Sequence, residues 1–446
     1  MVLIRYRLNL QPKSAIPIKE PTSTDKYQFN QKHNKMSRTL HTPRSFCLAA
    51  VLAALPLLSL PSQGAAAEEP IITMVTQAHV QAGATKLSFR LMASETTTVT
   101  VDFGSEEKTF EITASASTDD ATWIDGPIPA DGEIKVYGDP ELIDYVDLNG
   151  AYLSDVEMSR LSSLSVLILS HNKLSDFDFS PFTHIQYLDI RDNEFKNLKL
   201  DQRLDELAYL DISYSATQID YSFSLANYPN LLMFEATSMP IYSIDPSVCP
   251  GLIQLSIDGT NVSYLDVSGN PELRILNISE TQITNIDVTP CTKLEQFYCN
   301  HEGSLNNEYK ISTLDMSQNP ELRVLFCTGN LLTDIDVSNN PLLTDLYAGK
   351  NHLTHVDISE NPDIINLSIR RNDFTFATMP IVDERVNLEW SPMNPMKVDP
   401  AYPEGAVIDL SDKVLREGGE TYAMAFMVNN LEPSDPIQLV EGTDYT

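Results

Sequence analysis

Residues able to do chemistry are spread thinly along this chain, and where they recur they do so at a fixed spacing. His352 and His355 lie three apart, but no third ligand stands at metal spacing beside them, so no metal centre is expected there. HExxH, GxSxG, GxGxxG, CxxC and P-loop patterns are all missing. The chain therefore reads as non-catalytic, with no metal or cofactor. Carboxylates recur at Asp245, Asp266, Asp287, Asp315, Asp336 and Asp357, and five of the six are followed two residues later by a serine (Ser247, Ser268, Ser317, Ser338, Ser359). Stacked about 4.8 Å apart, such carboxylates would repel one another unless each accepts hydrogen bonds from its own turn, so turn capping is expected over a calcium ladder. Large aromatics recur at Tyr298, Phe326 and Tyr347.

Such spacings need a repeated element to position them. Apolar residues at Leu164, Leu167, Leu169 and Leu174 around Asn172 return at Leu343, Leu346, Ala348 and Leu353 around Asn351. Unit starts fall at Ile143, Leu164, Ile185, Leu207, Leu231, Leu252, Leu273, Leu294, Leu322, Leu343 and Ile364, and most intervals are 21 residues. A fixed period of this kind marks a solenoid whose units bury their apolar faces only by stacking. The template L-x-x-L-x-L-x-x-N-x-L-T-x-L-D-V-S-x-N-P is carried almost whole by 322–341. The interval from Leu294 to Leu322 implies a seven-residue insertion, near Glu302 to Tyr309.

In each unit the first half reads as a short strand: Leu322, Leu325 and Cys327 point inward while Val324, Phe326 and Thr328 point outward. Asn172, Asn193, Asn330, Asn351 and Asn372 stand where a turn must satisfy backbone groups of its own and the neighbouring coil. The second half is short, β-branched and closed by Ser, Asn and Pro, which favours turns or 3₁₀ geometry over an α-helix. The expected fold is a β-rich solenoid with a parallel sheet on its concave face and a thin convex side.

This pattern resembles the leucine-rich-repeat family, and within it the internalin-like bacterial surface and secreted proteins with 21-residue repeats. The resemblance covers 143 to about 380, just over half the chain. It implies a surface that binds another macromolecule, usually a protein.

Setting every unit in one frame locates that surface on the outward strand positions. Tyr298, Phe326 and Tyr347 share the fifth position and should form one exposed aromatic stripe, which solvent gives no reason to keep. Toward the N-terminus the same column is acidic, including Asp189 and Asp211, and is flanked at the third position by Tyr187 and Tyr209. These seven residues are the candidate ligand-binding site. Tyrosine beside carboxylate suits a basic protein surface, and the aromatic strip suits an apolar protein ridge or a sugar ring.

Outside the repeats, Met36, Arg38 and Arg44 precede an apolar run from Phe46 to Leu60 and the small residues Ala65 to Ala67. This reads as a secretory signal peptide behind an upstream extension, together residues 1–67. Without them the net charge falls from −32 to −39, because they hold nine basic and two acidic residues. Such a charge argues against a nucleic-acid partner. No later stretch is apolar enough to span a bilayer. A secreted or outer-surface location is expected.

Residues 68–140 read as a small β domain, with strands at Lys86–Met92, Thr98–Phe103, Thr109–Thr113 and Glu133–Tyr137, capping the open edge of repeats that run through 141–390. Residues 391–446 read as a proline-rich linker (Pro392, Pro395, Pro400, Pro403) and an incomplete β domain with strands at Ala406–Leu410 and Thr421–Val428. Cys299 and Cys327 share an inward position in adjacent units, where stacked buried thiols are expected over a disulfide. The function expected is exported, non-catalytic and adhesin-like binding of a protein. The alternatives are a glycan-capturing surface protein and the binding region of an enzyme whose catalytic module lies elsewhere.

Overall fold

The structure, a computed structural model, describes residues 69–390 except 79–81, 116, 197, 216–223, 303–308, 375–377, 379, 381 and 383–384, together with 416–417 and 420–421. The expected export signal, the proline-rich linker, most of the insertion and nearly all of the two expected C-terminal strands lie outside the described residues.

Six strands come first: β1 (Ile72–Thr76), β2 (Lys86–Ala93), β3 (Thr97–Asp102), β4 (Glu107–Ile112), β5 (Thr122–Pro127) and β6 (Glu133–Tyr137). The first coil supplies β7 (Ile143–Asp147) and, on its far side, β8 (Leu153–Glu157). Strands β4, β3, β6, β1 and β8 make one sheet, while β5 and β2 add antiparallel to the edge of β7. Both sides of the first coil are thus continued by β structure, and its edge offers no open ladder. Strand β5 was not foreseen, because Asp125, Gly126 and Pro127 disguise it. Gly126 is required there: a Cβ would stand 2.4 Å from the Phe103 ring.

From β7 the sheet runs parallel through β9 (Val166–Ile168), β10 (Tyr187–Asp189), β11 (Tyr209–Asp211), β12 (Met233–Glu235), β13 (Gln254–Ser256), β14 (Ile275–Asn277), β15 (Gln296–Tyr298), β16 (Val324–Phe326), β17 (Asp345–Tyr347), β18 (Asn366–Ser368) and β19 (Asn387–Glu389). Register is unbroken, for example Leu325 beside Leu346 and Leu346 beside Leu367. Eleven units were expected, and β19 adds a twelfth strand. Its unit escaped the pattern because Arg385 stands at the first apolar position, although Leu388 keeps the second. A single buried apolar core runs from Ile71 to Phe374, joining the N-terminal β domain to the coils.

The asparagine column is stitching, as its position requires. Asn351 Nδ2 donates to Cys327 O of the preceding coil (3.0 Å) and to Ala348 O of its own (3.1 Å), while its Oδ1 accepts from Leu332 N (3.0 Å). Asn172 and Asn372 repeat the arrangement. Where Ser215, Thr260 and Thr281 replace asparagine, the hydroxyl donates to a carbonyl of its own coil and bonds no backbone group of the preceding one. Ser215 also reaches Met239 Sδ of the next coil at 3.8 Å. The residue just before this position is left-handed in coil after coil, with φ of 58° at His171, 53° at Asp192, 54° at Lys350 and 56° at Arg371. A left-handed non-glycine residue costs about 1 kcal/mol or more, and Tyr214, Ser238 and Glu280 adopt it also where no asparagine follows. Gly329 fills the same place in the coil after the insertion, where a Cβ would lie 2.4 Å from His301 O.

A second asparagine column, the one just before the proline of the template, staples the convex side. Asn340 Nδ2 donates to Met316 O (3.0 Å) and Asn319 O (2.8 Å), and Asn270, Asn319 and Asn361 do the same one coil apart. The acidic column caps its turns: the Ser268, Ser317, Ser338 and Ser359 N–H groups each donate to the aspartate two residues earlier at 2.9 Å. Those bonds hold Asp266, Asp315, Asp336 and Asp357 below the usual carboxylate range.

Cys249, Cys291, Cys299 and Cys327 are free and buried, and burial pushes the Cys327 thiol up to about 12. None should be a thiolate at neutral pH. An aromatic disulfide reagent is therefore expected to leave all four unmodified in the folded chain and to titrate them in denaturant. Asn351→Ala is expected to cost roughly 2–4 kcal/mol because several buried backbone groups lose their partner, and Thr281→Ala about 1 kcal/mol or less. Urea denaturation of the two variants checks the contrast.

Candidate functional site

The outward face of the sheet divides into two regions of different chemistry. At its C-terminal part, β15, β16 and β17 pair in register and bring Tyr298, Phe326 and Tyr347 into one line. The Tyr298 and Phe326 rings lie 5.2 Å apart and tilted by 31°, and Phe326 and Tyr347 stack at 4.1 Å and 18°. All three are half-buried. The Tyr298 hydroxyl donates to Gln296 Oε1 at 2.9 Å, and burial pushes its pKa up to about 12. The stripe expected from the repeat is present as a three-ring ladder. Ladder contacts between rings stabilise the sheet by about 0.5–1.5 kcal/mol each beyond their burial.

The N-terminal region differs from the expectation. Tyr187 and Tyr209 stack face to face at 4.1 Å and 4°, and Asp189 and Asp211 stand in register beside them. Between the two carboxylates lies Arg191, whose guanidinium reaches Asp189 Oδ2 at 3.0 Å and Asp211 Oδ2 at 2.9 Å. Both aspartates are buried, and the Arg191 side chain is itself only 17% exposed. These carboxylates are already paired inside the coil stack instead of being presented to a basic partner. Burial and the nearby Asp211 charge raise the Asp189 pKa despite Arg191, because two acids share one base. The sequence reading missed Arg191 because it sits at the seventh position of its unit, two residues beyond the strand columns that were followed.

A third group lies where the N-terminal β domain joins the sheet. Arg90 on β2 bonds Asp147 Oδ2 on β7 through Nε at 3.0 Å, and its guanidinium sits 5.2 Å from the Trp123 ring centre on β5. Trp123 is 63% exposed. Only the pairing of β5 with β2, and of β2 with β7, puts this tryptophan on the same face as the repeats. Among the described residues no group of three or more His, Cys, Asp or Glu could hold a metal ion, and no helix is long and apolar enough to cross a membrane.

Midway along the face, burial and then the charge of Glu280 push Asp258 up to about 7. A carboxyl whose folded-state pKa exceeds its unfolded value of about 4 binds its proton more tightly when folded. Stability is therefore lost as pH rises from about 4 through 7. Asp258→Asn removes that loss, so its melting temperature should exceed the parent's at pH 8 and converge with it near pH 4. Parallel melting curves across that range would contradict the assignment.

No family model matches the chain, and no curated protein matches it. Solved structures do. The functional domain of InlJ from Listeria monocytogenes, which includes a cysteine ladder, is 20% identical over 55% of this chain and 72% of its own, with a TM-score of 0.34. An internalin from the same organism, InlF, is 18% identical over 57% of this chain and 82% of its own, with a TM-score of 0.45. A leucine-rich-repeat protein from Leptospira interrogans is 17% identical over 57% and 73%, with a TM-score of 0.44. On its own repeat, parallel sheet and nearly helix-free coils, this chain has the leucine-rich-repeat fold, and internalins are among the structures it is similar to.

Proposed function

We propose that the chain is an exported, non-catalytic, adhesin-like protein that binds a protein partner on its concave sheet, with the ladder of Tyr298, Phe326 and Tyr347 at the centre of the contact. The aromatic ladder carries this reading. Neighbouring coils place Ser256, Asn277 and Ser368 at the same position, so the sheet itself does not demand rings there. Half-buried tyrosine and phenylalanine clustered on one face are the composition of an interface core. The signal-like segment before residue 68 supports an extracellular location.

Ring geometry favours a protein over a sugar. A sugar stacks on the open face of an aromatic ring, whereas Phe326 is covered on one side by Tyr347 and approached on the other by Tyr298. The ladder therefore offers mainly ring edges, which suit the apolar side chains of a protein ridge. The paired aspartates at 189 and 211, with Tyr187 and Tyr209, form a rigid flank to that contact.

Tyr298, Phe326 and Tyr347 changed together to Ser should keep the melting temperature within several degrees. Binding to arrayed extracellular proteins should fall at least tenfold. Retention of binding by this variant would overturn the site, and binding confined to a glycan array would transfer the ladder to a carbohydrate.

A further inference from the structure

This chain carries 62 acidic residues against 30 lysines and arginines, so most basic side chains should find a carboxylate. Arg90, Arg191 and Arg274 each do. Arg370 and Arg371, beside the C-terminal end of the ladder, hold none among the described residues. Arg370 is the more telling of the two, since its Nε is buried and has no hydrogen-bond partner. A buried guanidinium N–H without an acceptor carries an unrecovered desolvation cost. Such a cost persists where something else supplies the acceptor.

Gly349 explains how Arg370 reaches this place. It lies two residues after Tyr347 and so on the same outward face, and a Cβ there would stand 3.1 Å from Arg370 Cγ and 3.8 Å from its Nε. The missing side chain leaves room for Arg370 to fold back over the preceding coil, toward the ladder. Beside it, Lys310, Lys350, His352 and Arg371 line a shallow groove of about 290 Å³. Lys350 is held by Glu302 at 2.9 Å and His352 faces Asp373 at 3.1 Å, which leaves Lys310 and Arg371 unpaired among the described residues. Cations thus lie alongside the aromatic strip, with Arg370 at its C-terminal end, on a chain whose overall field repels anions.

Resting on the concave-face reading above, we infer that Arg370 anchors a carboxylate of the bound protein segment, while apolar side chains of that segment lie along Tyr347, Phe326 and Tyr298. Guanidinium and carboxylate match as a charge-assisted pair, and Arg370, set beyond Tyr347 at the C-terminal end of the ladder, fixes which end of the segment lies where. Three strand spacings of about 4.8 Å separate the coil of Tyr298 from that of Arg370, so roughly five extended residues at about 3.3 Å each cover the distance. The partner is therefore an extended acidic and apolar peptide stretch, with the carboxylate at the Arg370 end. Its source is a side chain or a chain terminus.

Two pentapeptide libraries test this on the folded full chain, one blocked at both ends and one with a free C-terminus. Selection by the wild-type chain is expected to enrich apolar residues together with Asp or Glu in the blocked library, or apolar residues with the free terminus in the other, and so to name the source. For a selected peptide, replacing its carboxylate by the amide should weaken binding at least tenfold. Arg370→Gln should remove that difference, Arg370→Lys should restore part of it, and Gly349→Ala, which crowds Arg370, should remove it by an independent route. Apolar enrichment with no preference for acid would overturn the anchor and leave the concave-face reading intact. Selection unchanged by the triple Ser variant would instead overturn that reading. Uronate oligosaccharides bound through Arg370, with both peptide libraries blank, would overturn the peptide partner.

Discussion

A chain that turns a corner every 21 residues buries backbone amides and carbonyls at each corner, and water cannot reach them. Every other feature of this solenoid depends on how those groups are satisfied. An asparagine does it at the concave corner of five coils, bonding two coils at once, and a second does it on the convex side of four. With the corners fixed, three-residue strands suffice to keep twelve coils in register, because each strand need contribute only a few ladder bonds. The outward positions are then released from structural duty. Their side chains can be chosen for what they touch.

What they touch differs along the sheet. From β10 to β11 the outward residues satisfy one another: two tyrosines stack and two aspartates share Arg191. From β15 to β17 the rings stack and stay half-buried, and Arg370 and Arg371 next to them hold no carboxylate among the described residues. One region is internally closed and the other is open. The ladder therefore has to be read with its surroundings, since the same stacking geometry serves both regions.

Much of this was legible in the sequence because it depends on period alone. The register, the inward and outward alternation, the asparagine stitch and the aspartate turn caps all follow from residue type at a fixed position. Features outside that frame were hidden. Strand β5 carries Gly126 and Pro127 and looked like a loop, and it is a strand because Phe103 fits only against glycine. The unit of the twelfth strand opens on Arg385. Arg191 and Arg370 occupy the position just past the strand, where the pattern prescribes nothing, and their partners depend on three-dimensional neighbours. The aspartates at 189 and 211 could be placed on the outward face from sequence, but their burial could not.

The hydrogen bonds of a parallel sheet in a solenoid point along the long axis of the molecule. A tensile load applied between its two ends therefore pulls on the coil junctions in series, and the stack is as strong as its weakest junction. Asparagine doubles the backbone ladder at five concave corners, but Ser215, Met239, Thr260 and Thr281 succeed one another in four consecutive coils, and there no asparagine stitches the concave side. Asn270 still staples two of those coils on the convex side. The middle of the molecule is its mechanical fuse. A load large enough to part the coils is expected to do so between the closed N-terminal region and the aromatic ladder, leaving the ladder and Arg370 on the same fragment.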